Sequence, residues 1–338
     1  MSVQKNFAQP DGFQFGFFDN ARKQKLRFGH VKTNADKPKG TLVIGPGYGE
    51  TIEKYFELVN ELKAEGYNLY IIEWMGQGKS DRWDKFDSQK PYDPKDFLLH
   101  HRDDLYKFVT EVVKLDDGQK LGYLGMSMGG HIGAQFAHHY NYIFDAMSLN
   151  AAFFDMNTRG YPKALTSSLL TSKKWIGHGN KYVPGGGPWN KLKKAFNENS
   201  KTSDRARYEH LLRIKEKDKA LQLGDVTIDW VRHARPAINY LKSKRTLKEI
   251  ITPIQLIVPG NDATVCVKAQ DRAARFLENA IYAKFPYAKH EIWMERDEIR
   301  NIWKDRVFKF LKENFEADMP PVRIGRRVPI QKNRTINR

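Results

Sequence analysis

The sequence predicts an α/β fold: a mostly parallel central sheet with helices on both faces and an inserted helical lid. Three observations predict it. Short apolar runs alternate with segments of helical period, the rhythm of strand, helix, strand that builds a parallel sheet. The rhythm stops between Ala151 and Glu249 and then returns, as it would around an insertion. The run Leu121-Gly122-Tyr123-Leu124 leads straight into Gly125-Met126-Ser127-Met128-Gly129, a Gly-x-Ser-x-Gly turn between a strand and a helix.

The elements follow in order. Phe13 to Phe18 and Lys25 to Lys32 read as two antiparallel strands joined by a polar turn around Asp19-Asn20. Thr41-Leu42-Val43-Ile44 is a buried central strand closed by Gly45-Pro46-Gly47. Glu53 to Glu65 carries apolar residues at helical spacing (Tyr55, Phe56, Val59, Leu62), and Leu69-Tyr70-Ile71-Ile72 is the next buried strand. Asp96 to Val113 reads as a helix, and another runs from Gly130 to Tyr140 after the serine. Ala146-Met147-Ser148-Leu149 is a strand. The middle stretch holds Gly185-Gly186-Gly187-Pro188, many lysines and helical fragments such as Arg205 to Lys217. Sheet rhythm resumes with Ile254 to Val258 and Ile281 to Phe285, and an amphipathic helix spans about Glu298 to Glu313. The expected organisation is a core of residues 1–150 and 251–318, a basic lid at 151–250 and a basic tail at 319–338.

With 338 residues, 40% of them apolar, the chain can bury a large core. Its single cysteine, Cys266, excludes intramolecular disulfides and cysteine-based metal clusters. The polar start of the chain carries no signal-peptide pattern and no 18-residue apolar run occurs, so the expected location is cytoplasmic, peripheral on the inner membrane surface at most. The net charge of +17 is unevenly spread: residues 151–250 hold 21 Lys and Arg against 9 Asp and Glu, and residues 319–338 hold 6 basic residues and no acid. The core is close to neutral. Lid and tail therefore suit an anionic surface or substrate, although a charged face can also be merely solvated.

The serine turn is a candidate nucleophile elbow. Residues two before and two after the serine must lack side chains, and Gly125 and Gly129 do. The helix start adds a favourable dipole. A serine needs a base, and the base an orienting acid. Pro259-Gly260-Asn261-Asp262 follows the strand ending at Val258, and Pro286 to Glu291 follows the strand ending at Phe285. Asp262 and His290 therefore fall, in chain order after Ser127, where acid and base should sit. His131, the histidine nearest the serine in sequence, lies in the helix after the turn and is expected to face away. The backbone N–H groups of Met128 and of Tyr48, in the loop Gly47-Tyr48-Gly49, are the expected oxyanion donors. That loop lacks the Gly-Lys-Ser/Thr ending of a phosphate loop, and no metal-ligand spacing occurs, so neither metal nor cofactor is expected.

Pro46-Gly47-Tyr48-Gly49-Glu50 with Lys54-Tyr55, Gly76-Gln77-Gly78-Lys79-Ser80, Ser127 to Gly130, Ala288 to Ile292 and Glu295 to Glu298 together resemble the lysophospholipase and monoacylglycerol lipase group of α/β hydrolases. The Pro-Gly opening and Lys54 look more like its bacterial lysophospholipase branch. The resemblance covers about residues 10–316 and is weakest in the lid. It implies Ser127, Asp262 and His290 as the triad, Tyr48 and Met128 at the oxyanion hole, and Glu50 and Lys54 near the polar head of the substrate. One departure is Glu73-Trp74-Met75, where the family usually has an aspartate and an arginine around the Gly-x-Gly-x-Ser turn.

The expected function is hydrolysis of the carboxylic esters of single-chain lipids, lysophospholipids first, with Leu165, Leu169, Leu170, Trp175 and Trp230 of the lid receiving the acyl chain. Contact with an anionic membrane through lid and tail is a further expectation. A general carboxylesterase or monoacylglycerol lipase is the alternative within the chemistry, and a peptidase a more remote one. A membrane- or nucleic-acid-binding protein with an idle triad is the alternative of another class. Nucleic acid is not the expected partner, because the tail lacks interleaved aromatics.

Overall fold

The computed structural model describes residues 6–82, 89–91, 94–115, 118–157, 178–190 and 195–317. The expected tail and the lid residues Leu165, Leu169, Leu170 and Trp175 lie outside them.

Eight strands form one sheet: β1 Gln14–Asp19, β2 Lys25–Val31, β3 Gly40–Gly45, β4 Tyr67–Ile72, β5 Leu121–Met126, β6 Ala146–Asn150, β7 Ile254–Pro259 and β8 Ala280–Phe285. Their order is β1-β2-β4-β3-β5-β6-β7-β8. β1 pairs antiparallel with β2, and β2 antiparallel with β4. Every other pairing is parallel. β3, β5, β6 and β7 are buried along their whole length. Helices cover both faces there, which is why these strands read as unbroken apolar runs rather than alternating ones.

One face packs against α2 Phe97–Lys107, α3 Met128–His139, α5 Ile228–Lys242 and α7 Val267–Ala274. The other packs against α1 Phe56–Ala64 and α8 Asp297–Glu316, with Trp303, Val307, Phe310 and Leu311 of α8 buried. The helix expected from Glu53 opens as a 3-10 turn over Ile52–Tyr55 before α1 begins. The helix expected to Val113 changes to π-helical turns over Phe108–Val113. α5 is an unexpected helix. It contains Pro236, which removes one backbone donor and masks the helical period. The Thr227 hydroxyl caps it by accepting from Trp230 N at 3.1 Å.

Residues 195–250 supply α4 Arg205–Lys217, α5 and α6 Lys244–Lys248, and α4 is pinned to the sheet domain by one buried cation. Arg207 grips Glu57 of α1 with two bonds of 2.7 Å, Asp204 at 3.1 Å and Asp297 of α8 at 2.7 Å, and donates to the Glu295 carbonyl at 2.6 Å. Removing the guanidinium would leave three carboxylates facing one another. Arg207→Met is therefore expected to destabilise the fold by on the order of 3–5 kcal/mol, read as a lowered urea midpoint. A change below about 1 kcal/mol would mean that water replaces the cation at no cost.

Candidate active site

Parallel strands deliver their following loops to one edge of the sheet. At the carboxyl edge β3 leads into the Gly47-Tyr48-Gly49 loop, β5 into Ser127, β7 into Asp262 and β8 into His290.

Ser127 sits between β5 and α3 at φ 52° and ψ −110°, a conformation a side-chain-bearing residue rarely adopts. Surrounding structure enforces it. Ser127 N donates to the Asn150 carbonyl at 2.9 Å, and Ser127 O accepts from His131 N at 3.1 Å and Phe153 N at 3.0 Å. A Cβ on Gly129 would stand 1.9 Å from the Gly45 carbonyl oxygen, and one on Gly125 would stand 2.8 Å from Gly130 Cα. The close approach of β3, β5 and α3 thus needs both glycines. Strain of this kind is kept where a side chain must be presented in a fixed direction.

His290 Nε2 stands 3.0 Å from Ser127 Oγ, and its Nδ1 stands 2.7 Å from Asp262 Oδ2. The other carboxylate oxygen, Oδ1, accepts from Thr264 N at 2.7 Å and Val265 N at 2.9 Å. Asp262 therefore has both oxygens engaged and cannot rotate away from the imidazole. All three residues are buried, at 8%, 3% and 6% exposure for Ser127, His290 and Asp262. His131 faces away, as expected. Its Nδ1 donates to the Phe153 carbonyl at 2.7 Å, and burial pushes its pKa down to about 4.

Met128 opens α3, so its N–H belongs to the helix terminus where positive dipole ends converge. The loop carrying Tyr48 lies against the serine: a Cβ on Gly47 would be 3.1 Å from Ser127 Cβ. Several groups hold this loop. Trp74 Nε1 donates to the Pro46 carbonyl at 2.7 Å, Gly47 N donates to Glu50 Oε2 at 2.6 Å, and Gly49 N donates to Gln77 Oε1. The Tyr48 hydroxyl reaches the Gly224 carbonyl at 3.0 Å, and its ring meets Trp230 edge-on at 5.3 Å. Tyr48, Met75, Phe97, Met128, Leu223 and Trp230, with the polar Gln77 and His101, line a narrow cleft beside this loop.

Glu50 and Lys54 are brought to the site but face each other. Lys54 Nζ lies 2.6 Å from Glu50 Oε1 and 2.8 Å from Glu291 Oε2, with its side chain fully buried. The Tyr55 hydroxyl also donates to Glu50. Burial alone would raise the Glu291 carboxyl, but Lys54 and Lys201 outweigh it and hold the group well below the usual range. Glu50 fixes Gly47 on one side of Ser127, and Glu291 follows His290 on the other.

The Glu73 departure also resolves in space. Its carboxylate accepts from Ile52 N at 3.1 Å and Lys79 N at 2.8 Å, and Arg27 of β2 lies 3.4 Å away. Burial pushes Glu73 up to about 7 even with that arginine nearby. The cation comes from a strand 46 residues earlier, so local sequence held no sign of it.

The sheet order and the residues gathered at its carboxyl edge define an α/β hydrolase. The chain belongs to the family described as serine aminopeptidase, S33, which matches residues 36–297. It is 25% identical over 299 residues to the probable lysophospholipase L2 of Haemophilus influenzae, covering 88% of this chain and 92% of that one. It is 26% identical over 305 residues to lysophospholipase L2 of Escherichia coli K12, covering 84% of each. Its fold is similar to a soluble variant of monoglyceride lipase from Saccharomyces cerevisiae, with TM-score 0.69, 18% identity and coverage of 93% and 98%. It is also similar to a carboxyl esterase from Bacillus coagulans, with TM-score 0.67, 13% identity and coverage of 90% and 100%. No helix among the described residues is long and apolar enough to cross a membrane, and none of their side chains form a cluster that could hold a metal ion.

Proposed function

We propose that the protein is a serine hydrolase of single-chain lipid esters, lysophospholipids first, acting through an acyl-enzyme. The observation that carries this is His290, within hydrogen-bond distance of both Ser127 Oγ and Asp262. Ser127 Oγ attacks the ester carbonyl carbon as His290 Nε2 takes its proton. The oxyanion is met by the N–H groups of Met128 and Tyr48. Collapse breaks the bond to the alcohol oxygen, which leaves with the proton from His290. Water, deprotonated by the same imidazole, then releases the fatty acid and restores Ser127. The apolar side chains of Tyr48, Met75, Met128 and Trp230 beside the serine are the surface on which the acyl chain would pack.

Residues 1–150 and 251–318 act as the hydrolase core, 151–250 as the basic lid and 319–338 as a basic tail. Lid and tail attract anionic lipid, so vesicle binding should rise with anionic lipid content and weaken with salt. The peptidase reading is less favoured. An aminopeptidase must attract an ammonium group, and the two buried carboxylates beside the site, Glu50 and Glu291, are already matched to lysines.

A substrate panel tests the reading. With acyl chains matched, kcat/KM is expected to be highest for lysophospholipids, lower for monoacylglycerols and lowest for short soluble esters. Fastest turnover of short esters would turn the assignment to a general carboxylesterase. Cleavage of amino-terminal residues with no ester turnover would turn it to a peptidase.

A further inference from the structure

Charges beside the oxyanion loop do not balance. Three ammonium groups and two carboxylates meet there. Lys54 pairs with Glu50 at 2.6 Å and Glu291 at 2.8 Å, and Lys201 pairs with Glu291 at 3.2 Å. Lys215, from the last turn of α4, has no carboxylate partner among the described residues; its Nζ donates to the Gly49 carbonyl at 2.7 Å. The residue is 8% exposed. A buried ammonium without a counter-ion is costly and is kept where an anion is to be met.

We propose that Lys215, with Lys201 beside it, receives the phosphate of the substrate head group and so makes a lysophospholipid a better ester than a neutral monoacylglycerol. This rests on the ester-hydrolase reading above and adds the group that selects the head. The reach is suitable. Gly49 is two residues from Gly47, which abuts Ser127, and two Cα–Cα steps span at most about 7.6 Å. In a single-chain glycerophospholipid, the ester carbonyl and the phosphorus are separated by the glycerol carbons and two ester oxygens, a comparable length. Lys201 keeps 43% of its side chain exposed, so the cluster opens to solvent on that side. A phosphate there would supply the missing negative charge and accept charge-assisted hydrogen bonds.

The proposal carries a pH signature. Lys215 is pushed down to about 7, first by burial and then by Lys201 and Lys54. The charged groups facing it are Lys54 and Glu50 from the segment before α1, Lys201 from the segment before α4, and Glu291 beside His290. Tyr55 and Tyr208 nearby are pushed up by burial and keep their protons. Lys215 is charged below about pH 7 and loses its proton above it. The ratio of kcat/KM for lysophosphatidylcholine over acyl-matched monoacylglycerol should therefore fall from about pH 6 to about pH 8.5. Both esters use the same triad, so its titration cancels in the ratio.

The test measures that ratio in the full chain for the native protein, Lys215→Met and Lys215→Arg. The methionine variant should lower it by about tenfold or more, and the arginine variant should keep most of it. sn-Glycerophosphocholine, the deacylated head group, should compete with lysophosphatidylcholine in the native protein and far less in Lys215→Met. Equal losses on both esters in Lys215→Met would overturn the proposal, leaving Lys215 as a support of the loop. So would a ratio independent of pH. Inhibition of both esters alike by inorganic phosphate would point to a free-phosphate site instead and also overturn it. The pH series needs only native protein, so it decides the matter even if a variant fails to fold. If native protein hydrolyses neither ester, the hydrolase reading itself fails, a result distinct from all of these.

Discussion

Ser127→Ala is expected to lower kcat/KM for every ester substrate by on the order of 10⁵ or more. Among the described residues, Ser127 Oγ is the hydroxyl within hydrogen-bond reach of His290, at 3.0 Å, and the variant removes it. Residual turnover would come from the oxyanion donors and substrate binding alone. The fold should survive. The backbone bonds of Ser127 to Asn150, His131 and Phe153 do not involve its hydroxyl, and alanine bears the same positive φ as serine. Thermal unfolding of the variant should lie within a few degrees of the native protein, since the change creates no cavity of consequence. A variant that keeps more than a few per cent of native activity would place the nucleophile elsewhere.

Asp262→Asn is expected to cost about 10⁴ in kcat, for a reason visible in the hydrogen bonds. Oδ1 accepts from Thr264 N and Val265 N, so an asparagine must keep its oxygen there. Its NH₂ then faces His290 Nδ1, which must become an acceptor. The imidazole proton moves to Nε2, the atom that has to take the proton of Ser127. The base is held in the wrong tautomer while geometry and burial are unchanged. Steady-state kinetics with one lysophospholipid checks this. A loss of less than about tenfold would mean that another carboxylate fills the role.

Much of the arrangement is legible along the chain because its signals are local. Thr41 to Ile44, Leu121 to Leu124 and Ile254 to Val258 are apolar on both faces, which only a covered parallel sheet explains. Strand ends then point to Ser127, Asp262 and His290, because each lies within a few residues of such an end. What escapes is set by pairing across long separations. Nothing near Glu73 announces Arg27, nothing near Gly49 announces Lys215, and nothing near Glu57 announces Arg207. The basic lid, expected to suit an anionic surface or substrate or else to be merely solvated, thus includes one lysine buried against the Gly47-Tyr48-Gly49 loop. α5 is hidden by its proline, and the helix expected from Glu53 starts instead as a 3-10 turn over Ile52–Tyr55 that the Glu50–Lys54 pair helps to fix.

Every step of the proposed reaction depends on Ser127 being the nucleophile. Treating native protein with a fluorophosphonate ester and mapping the adduct by peptide mass spectrometry tests it most directly. Fluoride leaves and the phosphonyl group stays on the attacking oxygen, so the adduct records which residue attacked. One stoichiometric adduct is expected, on Ser127 in the peptide containing Gly125 to Gly129, formed slowly or not at all in Asp262→Asn. An adduct on any other residue, or undiminished labelling of Ser127→Ala, would contradict it.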